Sequence, residues 1–331
     1  RPAGGKACLN HVLASPFTTV AAMSSTAHDP QINRTTIYVS LGLAVLLVLG
    51  VLVGARVYFN RVALQPVAMT ELPAPDAQTP ECAQLIDDLP ATLAGLKRAG
   101  LAEPAPAGAA AWQASSTERI TLRCGVDAPA QYTPYASTED ADGTRWLQVN
   151  DLTPGSSLAT WYTVDRSPIL AVTADVTQLA DGIPPLSALP TGTLTGPAPQ
   201  QRPAPLADLA PAGDAGTCDA LIAAAPDSIA DGYTRVDARS PHTVAWSAPG
   251  QDAIVLRCGV AAPENYGPGA RLDQVNGIPW FEDVKLANGT TASTWYAMGR
   301  DVQVAASLPQ VESNEAITNL TNLVAEHTAE Q

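Results

Sequence analysis

The chain has 331 residues, too many for one small domain and enough for two with separate cores. Its net charge of -14 is uneven: residues 1–61 hold five of the 18 Lys and Arg but only one of the 32 acids, so the remainder is strongly acidic. Such a surface repels nucleic acid and other polyanions and excludes them as partners; solubility, a basic protein or a cation would account for it.

The first element is apolar. No charged residue interrupts Thr35 to Ala55, and at about 1.5 Å per residue this stretch spans the roughly 30 Å core of a bilayer. Tyr58 and Phe59 follow, set between Arg56 and Arg61 as an interfacial belt would be. A cleaved signal peptide has a shorter apolar core of about 7–15 residues and a small-x-small cleavage site, so the expectation is an uncleaved single span over 35–56. Residues 1–34 then form an N-terminal tail, of which 1–22 read as an over-extended start ahead of Met23. A Pro-rich linker, 57–80, leads away from the membrane.

Beyond it the chain repeats itself. A shift of 134 residues lays Ile120-Thr-Leu-Arg-Cys-Gly-Val126 on Ile254-Val-Leu-Arg-Cys-Gly-Val260. The same shift matches Trp112 to Trp246, Tyr132 to Tyr266, Trp146 to Trp280, Trp161-Tyr162 to Trp295-Tyr296 and Arg166 to Arg300. Upstream the shift becomes 136, matching Cys82-x-x-Leu-Ile-x-x-x-Pro90 to Cys218-x-x-Leu-Ile-x-x-x-Pro226. The chain is a tandem of two domains, 81–180 and 217–326, joined by a Pro-rich linker over 181–216 that would let them move independently.

Each unit reads as α+β. Thr79 can cap a helix, Pro80 suits its first turn, and Cys82, Leu85, Ile86, Leu89, Leu93 and Leu96 recur at helical spacing, with Pro90 expected to kink or split it. Alternation marks a strand at Ile120–Val126, and others follow near Trp146–Val149, Leu158–Val164 and Ile169–Val176, with counterparts in the second unit. A helix packed on a small antiparallel sheet fits these elements. Ile317, Leu320, Leu323 and Val324 stripe a last helix from Ser313 to about Glu326.

Setting Cys8 aside, each unit holds two cysteines. Duplication selects the within-unit pairings, Cys82 with Cys124 and Cys218 with Cys258, because a domain that once stood alone could pair only with itself. Loops of this length give about 4 kcal/mol by chain entropy. Zinc ligands usually come as close Cys-x-x-Cys pairs, and none occurs here. Disulfides need an oxidising compartment, which puts both domains outside the cytoplasm and the N-terminus inside.

No catalytic, metal or cofactor motif appears in the sequence. The duplicated Trp, Tyr and Arg residues either fill small cores and pair with nearby acids, or form an interface. On the second reading Arg257, Trp246, Tyr266, Trp280, Trp295 and Arg300 make a candidate interface, with Arg257 able to grip a carboxylate. His242 has no duplicate and reads as a solvated loop residue.

The pattern Cys-x-x-Leu-Ile…Pro, then Trp, Ile-x-Leu-Arg-Cys-Gly-Val and Asn276-Gly-Ile-Pro-Trp-Phe281 resembles an actinobacterial family, domain of unknown function 3515. The likeness covers about 81–176 and 217–326; the first unit departs from it at Asp142-Gly-Thr-Arg-Trp-Leu147. It implies a membrane-anchored or secreted envelope protein and brings no activity with it. The expected function is therefore an extracytoplasmic binding or assembly module, held to the cell membrane by one span and working with a protein partner. The alternative is an envelope enzyme whose site one sequence does not reveal.

Overall fold

A computed structural model describes residues 34–62, 65–212, 215–284, 291–310 and 313–331. The expectations for the tail before Arg34, including Cys8 and the start of the chain, lie outside these residues. The chain divides into two compact units, one ending at Arg56 and one running from Val57 to Gln331.

Helix α1 (Arg34–Val62) contains a stretch, Arg34–Phe59, long and apolar enough to cross a membrane. Its leucines and valines are exposed: Leu46 and Leu47 are each 67% exposed among the described residues.

The larger unit contains two modules of one design. Helix α2 (Pro80–Asp88) precedes strands β1 (Thr92–Leu93), β2 (Leu96–Ala99), β3 (Ala109–Gln113), β4 (Arg119–Val126), β5 (Thr138–Ala141), β6 (Thr144–Asn150), β7 (Leu158–Thr163) and β8 (Ile169–Asp175). Helix α3 (Ala215–Ala223) precedes β9 (Thr234–Val236), β10 (Thr243–Ser247), β11 (Ile254–Cys258), β12 (Asp273–Val275), β13 (Ile278–Asp283), β14 (Ala292–Ala297) and β15 (Val304–Pro309), and α4 (Ser313–His327) closes the chain. The first sheet has the order β1-β2-β3-β4-β8-β7-β6-β5 and the second β12-β13-β14-β15-β11-β10-β9. Apart from β1, the second order is the first read backwards through equivalent strands, and every ladder is antiparallel. Register is duplicated as well: Trp112 faces Ile120 and Trp246 faces Ile254, while Cys124 faces Leu170 and Cys258 faces Val304. The fold is thus α+β, with two antiparallel sheets, one for each repeat.

The helix starts where its signals put it, with the Thr79 hydroxyl accepting the Cys82 amide. It ends earlier than the helical spacing predicts. Leu89 is extended, as a residue before proline prefers to be, and the helix stops at Asp88 rather than kinking. Leu93 and Leu96 reach the core from the hairpin β1–β2, which satisfies the same spacing by another route.

The alternating side chains of β4 give one face to a core of Cys82, Leu85, Ile120, Leu122, Cys124 and the indoles of Trp112, Trp146 and Trp161. The second module repeats this core around Trp246 and Trp280 and adds α4, whose Ile317, Leu320 and Val324 lie on it. In the first module the corresponding stretch forms three short 3-10 turns, and Leu186, Leu189 and Leu194 enter its core. The 181–216 segment is therefore packed rather than free along much of its length. Its leucines are the cause, since a Pro-rich chain that carries them gains by burying them.

Candidate functional site

The Arg-Cys-Gly strand explains itself once the segment before each helix is in place. Arg123 donates to the carbonyl of Thr70, and Arg257 donates to the carbonyl of Leu206 at 2.6 Å. Cys124 and Cys258 tie the same strand to the helices through disulfides with Cys82 and Cys218. The carbonyls of Gly125 and Gly259 then accept the amides of Asp76 (3.1 Å) and Ala212 (2.7 Å). A Cβ on Gly125 would lie 2.2 Å from the Ala77 nitrogen, and one on Gly259 3.1 Å from the Ala212 carbonyl oxygen. Glycine is needed so that a strap can cross the strand. Arg grips the strap, Cys fixes the helix and Gly lets the strap pass, so three consecutive residues build one clasp in each module.

The aromatic residues of the candidate interface divide. Trp246 and Trp280 are fully buried, so they belong to the core and not to a surface. Trp246 Nε1 donates to the Pro226 carbonyl at 2.8 Å, as Trp112 Nε1 does to Pro90 at 2.9 Å, and Trp280 Nε1 donates to the Thr321 hydroxyl at 2.9 Å. An indole can be buried at little cost when its N–H finds such a partner. Tyr266 is 43% exposed and stacks edge-on against Phe281. Trp295 is half-buried against the core on the opposite side of the sheet from Phe281. Arg300 is spent on the chain's own end, donating through Nε to the Thr328 hydroxyl at 2.8 Å and through a terminal nitrogen to the Thr328 carbonyl. The six residues form no single patch: Arg257 and Arg300 hold internal carbonyls, two Trp are core, and Tyr266 and Trp295 face opposite ways. His242 lies 3.4 Å from Asp219.

What the sequence did not reveal is how the modules meet. The Asn150 amide donates to the Gly250 carbonyl at 2.9 Å, and a Cβ on Gly250 would lie 2.4 Å from the Asn150 side-chain oxygen. Tyr135, a residue of the first module, joins Leu206, Ala245, Val255, Phe281, Tyr296 and Ala305 in a cluster on the outer face of the second sheet. The only sequence signal was a tyrosine at a position where the other copy has Gly269.

Two clefts lie at this junction. A cleft of about 730 Å³ is lined by the 151–158 loop, Gln148, Asn150, Asp181 and Gln251. The Asp151 carboxylate there takes hydrogen bonds from Ser156 and Thr153, which hold its pKa below the usual carboxylate range. A second cavity, of about 340 Å³, is lined by residues of both modules and of the strap, among them Thr133, Arg202 and Asp252. Asp252 is 8% exposed, and burial pushes its pKa up against hydrogen bonds from Thr291. Among the described residues no group of three or more His, Cys, Asp or Glu could hold a metal ion.

These features define a tandem of disulfide-clasped α+β modules preceded by an apolar helix. The family model described as "Protein of unknown function (DUF3515)" matches residues 41–195 and again 186–331, and the chain belongs to that family, in two copies. Both matches begin well before the first cysteine of their module, and so include the straps that the Arg-Cys-Gly clasps hold. No curated protein and no solved structure matches the chain.

Proposed function

We propose that this is a membrane-anchored binding or assembly protein of the cell envelope, with α1 as a retained span and both modules outside the cytoplasm. One observation carries the reading: a helix that leaves nearly all its apolar side chains uncovered is followed by modules that each contain a disulfide. The apolar surface calls for lipid. The disulfides call for an oxidising compartment on the far side of it. The modules bring an acidic surface to that compartment, suited to a basic or cationic partner.

The test is the intact mass and thiol reactivity of the protein extracted from native membranes, followed by crosslinking there. The protein should resist alkaline extraction and retain residues 35–56, and the cysteines at 82, 124, 218 and 258 should react with maleimide only after reduction. A stoichiometric crosslinked membrane protein should accompany it. A soluble chain that begins beyond Phe59 would overturn the anchor, and recovery of the protein alone would overturn the assembly role.

A further inference from the structure

Two clefts run into one groove. The 730 Å³ cleft at the junction and another, of about 560 Å³, share Asp181 and Ile183 in their walls, and the far part is lined by Glu139, Asp140 and Ala141 of β5. Among the described residues four acids line the groove, Asp151, Asp181, Glu139 and Asp140, and no Lys, Arg or His does. Arg145 stands opposite Asp140 on β6, so the other three hold the uncompensated charge. Neither Asp181 nor Glu139 is in an ion pair among the described residues. Asp151 is held ionised by hydrogen bonds from Ser156 and Thr153. The groove also exposes apolar side chains. Outside α1, five large apolar residues are exposed among the described residues, and two of them, Leu158 (44%) and Ile183 (40%), line it. The third feature is an acceptor: Gln251 lines the junction end, and its buried Oε1 has no hydrogen-bond partner. A buried acceptor without a donor costs free energy that an arriving N–H recovers.

We infer that this groove binds an extended, basic polypeptide segment of a partner protein. A polypeptide brings all three things that the groove lacks. Lysine or arginine side chains answer the carboxylates, an aliphatic side chain covers Leu158 and Ile183, and an amide N–H meets Gln251. Each cleft alone would hold a small molecule, and the two in series suit a chain. β5 is the last strand of its sheet, so its outer edge offers backbone groups to the same segment. The inference rests on the binding role proposed above, for which it names the surface and the partner's chemistry. It does not depend on how α1 is used.

The test is fluorescence anisotropy on the full chain in nonionic detergent. The probes are a labelled heptapeptide of alternating Lys and Val, the same peptide with Glu in place of Lys, and spermine as competitor. The Lys-Val peptide should bind with a Kd on the order of 10–100 µM and more weakly as salt is raised, and the Glu peptide should not bind. Spermine matches its four charges without a backbone and should compete at least about tenfold more weakly. Asp181→Asn should weaken peptide binding by roughly two- to fivefold, the scale of one exposed ion pair, and Asp181→Asn with Ile183→Ser by about tenfold or more. Both positions are exposed, so the fold should survive the changes. Glu264→Gln, an exposed acid of the second module outside the groove, should leave binding unchanged. Three results would overturn the inference: no binding at millimolar peptide, spermine competing as strongly as the peptide, or Glu264→Gln weakening binding as much as Asp181→Asn. In the native-membrane crosslinking, a partner attached only away from the groove would keep the binding role and also overturn this groove. Peptide binding without a native partner would support the groove and sink the assembly role.

Discussion

The two modules share a clasp but differ in how they cover it. In the second, α4 lies across the core and the Thr321 hydroxyl takes the Trp280 N–H. In the first, short turns hold that place, and the Trp146 and Trp161 N–H groups are buried without a hydrogen-bond partner among the described residues. The outer faces differ in the opposite sense. Thr121, Thr160 and Thr173 leave the first sheet's outer face polar and half-buried, whereas Val255 and Phe281 on the second lie under Tyr135 and Leu206. The positions that keep one role in both copies are Cys, the strand Arg, Gly and the first Trp, so they define the module. The positions that part company make the first module the donor of the junction and the second its acceptor.

The largest expected effect concerns the part they share. Replacing Cys82 and Cys124 by Ser, or Cys218 and Cys258, removes loops of 42 and 40 residues, so chain entropy predicts nearly equal losses of about 4 kcal/mol. The Cys82/Cys124 variant should nevertheless expose its module first in limited proteolysis, because turns rather than a helix cover that core. Proteolysis that begins in the second module would reverse this ranking.

The next test addresses the difference itself. Trp280→Phe and Trp146→Phe remove similar volume, but only the first breaks a hydrogen bond and leaves the buried Thr321 hydroxyl short of a donor. Denaturant melts should show Trp280→Phe costing about 1 kcal/mol more than Trp146→Phe. Equal costs would mean that Trp146 has a partner equivalent to Thr321.

Smaller still is the strap. Arg257→Lys and Arg123→Lys keep the charge but lose the planar fork that reaches the Leu206 and Thr70 carbonyls, and each should cost on the order of 1–2 kcal/mol. Matching losses would support one clasp used twice. An effect confined to Arg257 would mean that the first strap is held by other contacts, such as the Val67 amide to the Gly100 carbonyl at 2.8 Å.

How much of this was legible follows from the range of the interactions. Duplication, helix starts, the alternating strands, the disulfide pairs and the stripe of α4 are local or repeated patterns, and the structure has them where the residues put them. The early end of α2 was signalled by Pro90, but Leu93 and Leu96 fit a helix and a hairpin equally well. Strand β3, Ala-Ala-Ala-Trp-Gln, gave no alternation because four of its five residues are buried. The duplicated Trp residues were ambiguous between core and interface, and a single sequence does not separate the two. Leu186, Leu189, Leu194 and Leu206 were visible inside Pro-rich sequence, yet their partners lie on distant strands. Nothing local marks the junction or its cavity, because Thr133, Arg202, Asp252 and Ser307 meet only in three dimensions.

Asp252 makes the finest distinction between the modules, since the first has Glu118 at the matching position, which is half-buried, whereas Asp252 is 8% exposed. Burial raises the Asp252 pKa above that of the unfolded chain. A carboxyl with a raised folded pKa favours the fold below the unfolded value of about 3.9, and that advantage is lost as pH rises through the folded value. At neutral pH the ionised group therefore works against folding. Asp252→Asn, which is neutral at every pH, should melt higher than the parent at pH 7, by a few degrees at most for a unit this large, and the gain should fade toward pH 4. A parent that melts higher than the variant at pH 7 would show that the ionised carboxylate is already satisfied within the fold, by hydrogen bonds such as those from Thr291.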